Sequence, residues 1–567
     1  MTRLMASFVL FFLAMLAILA PSTHSAESPF QRAKEELNRV ANLIYQRYEY
    51  GNAYRYQFFL GSANMGSFAW DILKYKFAIR MVESNSTFLM IFGGSSVTAG
   101  HDNYYSQAYP QVFERRMSSV FNALGINLIV HNTAMGANNC RPYAFCYVAQ
   151  GGLPDVPIDW INWEQSFNCG RDNGVFELMA RIAYFHKAVL YISASGAFYP
   201  DGCKPSTDAL PYTAETWTPE IANITDKYTI DPIKIINYKN LLNEWYEDGN
   251  SVARFTNPLR NQYRGVGHHG YSVWANSKSK CINDLKNFTV GCNAIDVVGP
   301  CHSENGSHWM VHETAEYGNG KKSSHHPPAG MHLIRAETLA YQYSHILADA
   351  LNMVELDLSG TNTKSKLIQK YQNELNKLLV PIPDAKTCST SCHCRKDCET
   401  LPICYTNFEP HFHPNYTLND ILVGKTSWSY IFRPSVGHDP GRYGYKDIRP
   451  VYELRMNKNS NYTHTELYLK VNVSNRGIVI ICGYLVKESL KNAIFRFDFN
   501  INADTHAMHY YTPSPEAVLW TNRHYHNDEC TILEQIPEGN HILIVSANPN
   551  VTDAVLTVSH VITFDPM

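Results

Sequence analysis

At 567 residues the chain is longer than one hydrophobic core supports, so two domains with accessory segments are expected. Its 45% hydrophobic and 17% charged composition is that of an ordinary globular protein and excludes a mainly disordered or fibrous chain. A net charge of −3, with a pI near 6.8 and no Lys/Arg stripe interleaved with aromatics, excludes nucleic acid as a partner.

The N-terminus carries Arg3, an apolar run from Leu4 to Ala20 and the small polar stretch Ser22 to Ala26. This is the layout of a secretory signal peptide over residues 1–26, cleaved near Ser25 or Ala26, with a signal anchor as the alternative. No later segment resembles a transmembrane helix, so no stable membrane span is expected after removal. The 14 cysteines behind such a signal point to disulfides in an oxidising compartment, extracellular, on the cell surface or in an organelle lumen. Their clustering suggests short-range bridges, with Cys140 and Cys146 around one loop, Cys281, Cys292 and Cys301 in another, and Cys388, Cys392, Cys394, Cys398 and Cys404 in a third stretch. Cys392-His393-Cys394 lacks the two separated Cys-x-x-Cys knuckles of a zinc site, and no metal is expected. Sequons at Asn85, Asn223, Asn287, Asn305, Asn415, Asn461, Asn472 and Asn550 agree with a glycosylated surface.

Residues 27–86 read as a helical segment, with apolar residues from Phe30 to Ile44 at helical spacing and a second helix from Phe68 to Met81. Residues 87–355 read as an α/β domain. The apolar run Phe88 to Phe92, ending in Gly93-Gly94, suits a buried strand of a parallel sheet. A helix from Tyr109 to Leu124, stopped by Gly125, leads into a strand from Ile126 to Val130. A strand from Ile158 to Trp163, a helix from Val175 to His186 and a strand from Ala188 to Ser193 repeat the alternation, and a helix from Met331 to Met353 closes it. Strands and helices alternating in this way predict a doubly wound parallel sheet.

Residues 356–406 read as a linker, with a polar helix, the Pro381-Ile382-Pro383 break and the cysteine cluster. Residues 407–567 hold short runs rich in Tyr, Val, Ile and Thr, among them Glu466 to Val473, Gly477 to Leu485, His541 to Val545 and Ala554 to Ile562, which predict an all-β sandwich or jelly roll.

Four loops follow the predicted strands or precede the last helix, where ligands bind in open α/β sheets. Gly94-Ser95-Ser96-Val97-Thr98-Ala99-Gly100 places a serine in a glycine-flanked strand-to-helix turn. Such a turn exposes a hydroxyl and offers backbone N–H groups to an anion, although either serine could instead serve as a helix cap. Asn132 to Asn138 contains Gly136, which permits close backbone approach. Trp163 to Asn168 ends in an amide side chain, and Ser323-Ser324-His325-His326-Pro327 precedes the final helix.

These blocks, in this order, resemble the SGNH, or GDSL-type, hydrolase family over roughly Thr87 to Met353. The resemblance implies a flavodoxin-like doubly wound sheet carrying a Ser96 nucleophile, a His326 base and an oxyanion hole formed by the N–H groups of Ser96 and Gly136 and the Asn168 amide. It implies no cofactor. Ser95 stands where the family has Asp in the first block, and Ser323 stands where it has the acid that orients the histidine. A Ser-His dyad, or a carboxylate from Glu313 or Glu316, is then left to do that work. The implied activity is that of an esterase or acyl transferase on an ester-bearing small molecule or acylated glycan, and the alternative is a catalytically silent glycan-binding protein. Nothing indicates the oligomeric state.

Overall fold

The computed structural model describes residues 29–47, 67–83, 85–100, 105–136, 142–144, 146, 156–164, 182–183, 186–192, 329–360, 363–378, 400–408, 416–434, 448–457, 465–475, 477–484, 490–498, 508–511 and 528–566. The signal segment, most of the helix expected from Val175 to His186 and the cysteines from Cys388 to Cys398 lie outside this set.

The N-terminal half is a mixed α/β unit. Helix α1 (Pro29–Arg47) buries Ala33, Leu37, Val40 and Ile44, one residue per turn on a single face. Helix α2 (Ser67–Val82) leads to strand β1 (Thr87–Gly94), which is buried at every position after Thr87, as its continuous apolar run predicts. A four-residue helix α3 (Ser96–Ala99) and helix α4 (Tyr109–Ala123) follow. Strands β2 (Asn127–Asn132), β3 (Ile158–Glu164) and β4 (Val189–Ile192) complete a parallel sheet of order β2-β1-β3-β4. Phe88, Met90 and Phe92 alternate onto the face that joins the helical core. There Phe77 of α2 meets Phe88, Phe121 and Tyr343 at ring distances of 4.6, 5.8 and 5.8 Å.

Tyr343 belongs to α5 (Ala329–Leu358), the closing helix expected from the sequence and longer than expected. It is tied to α4 by a buried ion pair, Arg116 to Glu337 at 2.7 Å. At the amino-terminal ends of the strands, Asp159 accepts from Lys76 at 2.9 Å, Arg80 at 3.2 Å and the Leu89 N–H at 3.1 Å. Helix α6 (Lys364–Leu378), expected to be part of a linker, packs on α2 with Tyr371 6.4 Å from Tyr75 and belongs to the α/β core.

The C-terminal half is antiparallel. In chain order it comprises β5 (Thr400–Thr406), the short helix α7 (Leu418–Ile421), β6 (Leu422–Lys425), β7 (Ser429–Pro434), β8 (Ile448–Met456), β9 (Glu466–Val473) and β10 (Val479–Tyr484). It continues with β11 (Ala493–Asp498), β12 (Met508–Tyr511), β13 (Asp528–Leu533), β14 (Gly539–Ala547), β15 (Ala554–Val558) and β16 (His560–Pro566). The sheets have orders β13-β10-β16-β5, β12-β11-β14-β9-β6 and β15-β8-β7. Val479, Ile481 and Val561 of the first share one core with Leu467, Leu469, Phe495 and Val545 of the second, the arrangement of packed sheets.

Two sequence expectations change here. Thr400–Thr406, assigned to the linker, pairs along its length with β16, so this strand belongs to the β unit. The single run expected from Ala554 to Ile562 is two strands in different sheets. They part at Ser559, whose hydroxyl and N–H both reach the Cys482 carbonyl. The bridges also differ from a purely local pattern: Cys146 joins Cys404, 258 residues away, and Cys482 joins Cys530 across the β10-β13 pair. Asn85, Asn472 and Asn550, the sequon asparagines within the described set, are all exposed. Among the described residues no helix is long and apolar enough to cross a membrane.

Candidate active site

The order of the parallel sheet reverses between β1 and β3, and the turn after β1 sits at that point. Ser95 is extended, with φ −82° and ψ −170°, and its side chain accepts the Val97 N–H, which makes it the N-cap of α3. Its hydroxyl donates to Glu164 at 2.7 Å, and its N–H reaches the Glu164 carbonyl at 2.8 Å. The capping role open to either serine is therefore taken by Ser95. Ser96 is the first residue of α3 and is half-buried between buried neighbours, and among the described residues its hydroxyl has no hydrogen-bond partner.

The turn needs two glycines. A Cβ on Gly94 would lie 2.2 Å from Thr98 Oγ1 and 3.1 Å from the Glu164 carbonyl. Gly100 closes α3 in the left-handed region at φ 79°, where a Cβ would strike Ala108 at 2.6 Å.

Glu164, to which the sequence assigned no role, holds the turn from below. It terminates β3, is fully buried, and its Oε2 accepts from the Ser95 hydroxyl, from the Ser95 N–H at 3.2 Å and from the Thr98 hydroxyl at 3.1 Å. A carboxylate is almost never fully buried unless donors meet it, and here they are the turn itself. The chain of bonds runs further. Asn162 donates to the Gly93 carbonyl at 2.8 Å and to the Tyr109 hydroxyl at 2.9 Å, and that hydroxyl lies 3.1 Å from Thr98 Oγ1. The one signal available was a Glu directly after the strand expected from Ile158 to Trp163.

The second block packs against the first. The Thr133 N–H reaches the Phe92 carbonyl at 3.0 Å, and the Met135 N–H reaches the Gly94 carbonyl at 3.3 Å. Asn132 ends β2 with its amide on the Thr98 carbonyl at 3.1 Å and on Gln111 at 3.2 Å. The Tyr143 hydroxyl accepts the Gly94 N–H at 3.2 Å and donates to the Thr133 carbonyl at 3.1 Å. Burial raises its pKa well above that of a free phenol and keeps it protonated. Gly136 is buried, and its carbonyl accepts from Arg449 of β8.

The ends of β1, β2 and β3 are thus tied together, through Met135 on Gly94 and Glu164 on Ser95. Asn168, Ser323, His326, Glu313 and Glu316 lie outside the described residues, as does His325. His332 is buried and stacks on Tyr109 with ring centroids 6.1 Å apart; its Nδ1 accepts the Tyr109 N–H at 3.3 Å. Among the described residues no group of three or more metal-ligating side chains is assembled.

No protein-family model matches the chain, and no curated protein is detectably similar to it. Solved structures to which the chain has some similarity include the crystal structure of a two-domain esterase (CEX) active on acetylated mannans, co-crystallised with mannopentaose. It has a TM-score of 0.35 and 11% identity, with 90% of this chain and 99% of that chain covered. A second crystal structure of a two-domain esterase (CEX) active on acetylated mannans gives a TM-score of 0.31 at 11% identity, covering 86% of this chain and 94% of that one. The K1 cleaved adhesin domain of Lys-gingipain from Porphyromonas gingivalis W83 gives 0.16 at 11% identity, covering 29% of this chain and 98% of that one.

Proposed function

We propose that the chain is a secreted, glycosylated esterase or acyl transferase of the SGNH type, acting on ester-linked acyl groups of carbohydrates, with Ser96 as nucleophile. The observation that carries this reading is the division of labour in the turn after β1. Ser95 is consumed as the cap of α3 and as a donor to Glu164, while Ser96 stands half-exposed at the reversal point of a parallel sheet. The order β2-β1-β3-β4 is also the leading part of the flavodoxin-like doubly wound order.

In the proposed reaction His326 takes the Ser96 proton as Oγ adds to the ester carbonyl. The negative oxygen of the tetrahedral intermediate is held by the N–H groups of Ser96 and Gly136 and by the Asn168 amide. Collapse expels the alcohol, which leaves with the proton from His326, and the acyl group remains on Ser96. Water, or a sugar hydroxyl in a transferase, then gives its proton to His326 as it attacks the acyl carbonyl, and Ser96 Oγ leaves with that proton from His326, restoring the starting state. Glu164 is committed to Ser95 and Thr98 beneath the turn, so orientation of the imidazole falls to Ser323, Glu313 or Glu316.

A second reading, a catalytically silent glycan-binding protein, is favoured by the edge strand β7. Tyr430 and Phe432 project from one face there, 36% and 66% exposed, with ring centroids 5.7 Å apart. Exposed paired rings suit stacking on sugars, which also supports a carbohydrate substrate for the enzyme.

The test is turnover of a short-chain aryl acetate and of acetylated polysaccharides by the purified secreted protein. Ser96→Ala is expected to lose at least about 1000-fold in kcat with unchanged thermal stability. Ser95→Ala is expected to lower stability by about 1 kcal/mol through the lost cap. Undiminished turnover in Ser96→Ala overturns the proposed nucleophile. Glycan binding without any esterase activity, lost in the Tyr430→Ala, Phe432→Ala double variant, supports the silent reading instead.

A further inference from the structure

We infer that Arg449, supplied by the C-terminal β unit, is a positioning residue for the oxyanion-binding loop, so that the esterase site is complete only when the two halves of the chain are docked. This rests on the reading of Gly136 as an oxyanion donor and adds to it a residue from outside the α/β domain.

Arg449 lies near the start of β8, and its side chain is among the largest that are fully buried. One guanidinium nitrogen donates to the Gly136 carbonyl and another to the Tyr484 hydroxyl, while Cζ lies 5.1 Å from the Tyr484 ring centroid and 6.0 Å from that of Phe408. Tyr484 ends β10 and Phe408 follows β5, so three strands of the β unit converge on one carbonyl of the α/β unit. Around this contact Met135 packs into a small core with Phe408, Val451 and Tyr484, and Ile431 flanks it. The Cys146–Cys404 bridge joins the same two units.

Glycine explains why such a grip matters. The Gly136 N–H belongs to the peptide between Met135 and Gly136, and a glycine beside it would let that peptide rotate among several conformations. Here each side of the peptide is fixed. The Met135 N–H is on the Gly94 carbonyl at 3.3 Å, its side chain is buried by the β unit, and the Gly136 carbonyl is held by Arg449. An oxyanion donor works only when aimed before the charge develops, so the grip acts on the transition state. The buried guanidinium supplies a charge-assisted bond with a planar fork, which a lysine ammonium cannot match while also reaching Tyr484.

The experiment compares wild type with Arg449→Met, Arg449→Lys, Tyr484→Phe and Val451→Ala in the full-length secreted protein, using an aryl acetate with separate kcat and KM and a melting curve for each. Arg449→Met is expected to lose about 10- to 100-fold in kcat with KM nearly unchanged, and Arg449→Lys to recover part of that loss. Val451→Ala, which loosens the shared core and leaves the guanidinium, is expected to melt earlier and keep most of its kcat. If Arg449→Met does not fold, Tyr484→Phe carries the test through loss of one hydroxyl, with about a fivefold fall in kcat expected. Wild-type kcat in a folded Arg449→Met or in Tyr484→Phe, alongside an inactive Ser96→Ala, overturns the inference and leaves the esterase reading standing. An equal loss of kcat in Val451→Ala overturns it too, because docking alone would then account for the effect. A wild type without Ser96-dependent turnover overturns the reading of the site, and the inference with it.

Discussion

At the scale of single residues, sequence identified the turn after β1 but not the division of labour within it. Ser95 and Ser96 have the same local chemistry. Only the position of Glu164 on a neighbouring strand turns one into a cap and leaves the other half-exposed. Arg449 was equally illegible, because an arginine in a β-run carries no mark of the carbonyl it will meet more than 300 positions earlier in the chain. The buried His560 and the half-buried His186 give a prediction at this scale. Burial, reinforced by the Arg449 charge, pushes the His560 pKa down to about 3, and burial, reinforced by Lys76, pushes that of His186 down to about 4. The unfolded chain takes up these protons from about pH 6.5 downward, whereas the folded protein refuses them until about pH 4 and 3. Stability from this source is thus complete above pH 6.5 and lost as pH falls toward 4 and then 3, at up to ~1.4 kcal/mol per pH unit for each group. Urea unfolding across this range is expected to show the decline, and His560→Phe to make it shallower. A flat profile contradicts the assignment of these side chains as neutral in the folded protein.

At the scale of elements, the strong periodic signals became structure. The apolar run from Phe88 to Phe92, the amphipathic helix from Tyr109 and the long helix beginning near Met331 appear as β1, α4 and α5, with ends shifted by a few residues. What failed depended on distant partners. Thr400–Thr406 looked like linker because its pairing strand, β16, is the last of the chain, and Ser559 gave no sign of the corner that separates β15 from β16. The same dependence governs the seat of α5, the helix that follows the predicted His326-Pro327 block. Arg116 and Glu337 hold it to α4 in a buried pair at 2.7 Å. Glu337→Ala leaves a buried guanidinium in an apolar core and is expected to cost about 3–5 kcal/mol. Chemical denaturation of the single variant and of Arg116→Met, Glu337→Leu measures this; the double variant is expected to regain much of the loss, and equal stability of all three proteins contradicts the pairing.

At the scale of the whole molecule, chain length and the change to Tyr-, Val-, Ile- and Thr-rich runs after residue 407 indicated a two-part chain, but the way its parts are joined came from structure alone. The Cys146–Cys404 bridge spans 258 residues, so its loss frees a very long loop. Replacing both cysteines by serine is expected to cost about 2–5 kcal/mol and, while Arg449 still holds Gly136, to keep most of the Ser96-dependent turnover. Calorimetry and turnover of the same sample check this, and an unchanged melting profile contradicts it. The resemblance blocks at Gly94 to Gly100 and at Gly136 are brought together by β1 and β2 and sealed by the β unit. The most direct measurement of the central claim is covalent labelling of the intact protein with a fluorophosphonate, followed by mass mapping of the modified peptide. A single adduct on Ser96, formed with loss of fluoride and abolished in Ser96→Ala, is expected. An adduct on Ser95, or labelling that persists in Ser96→Ala, contradicts that claim.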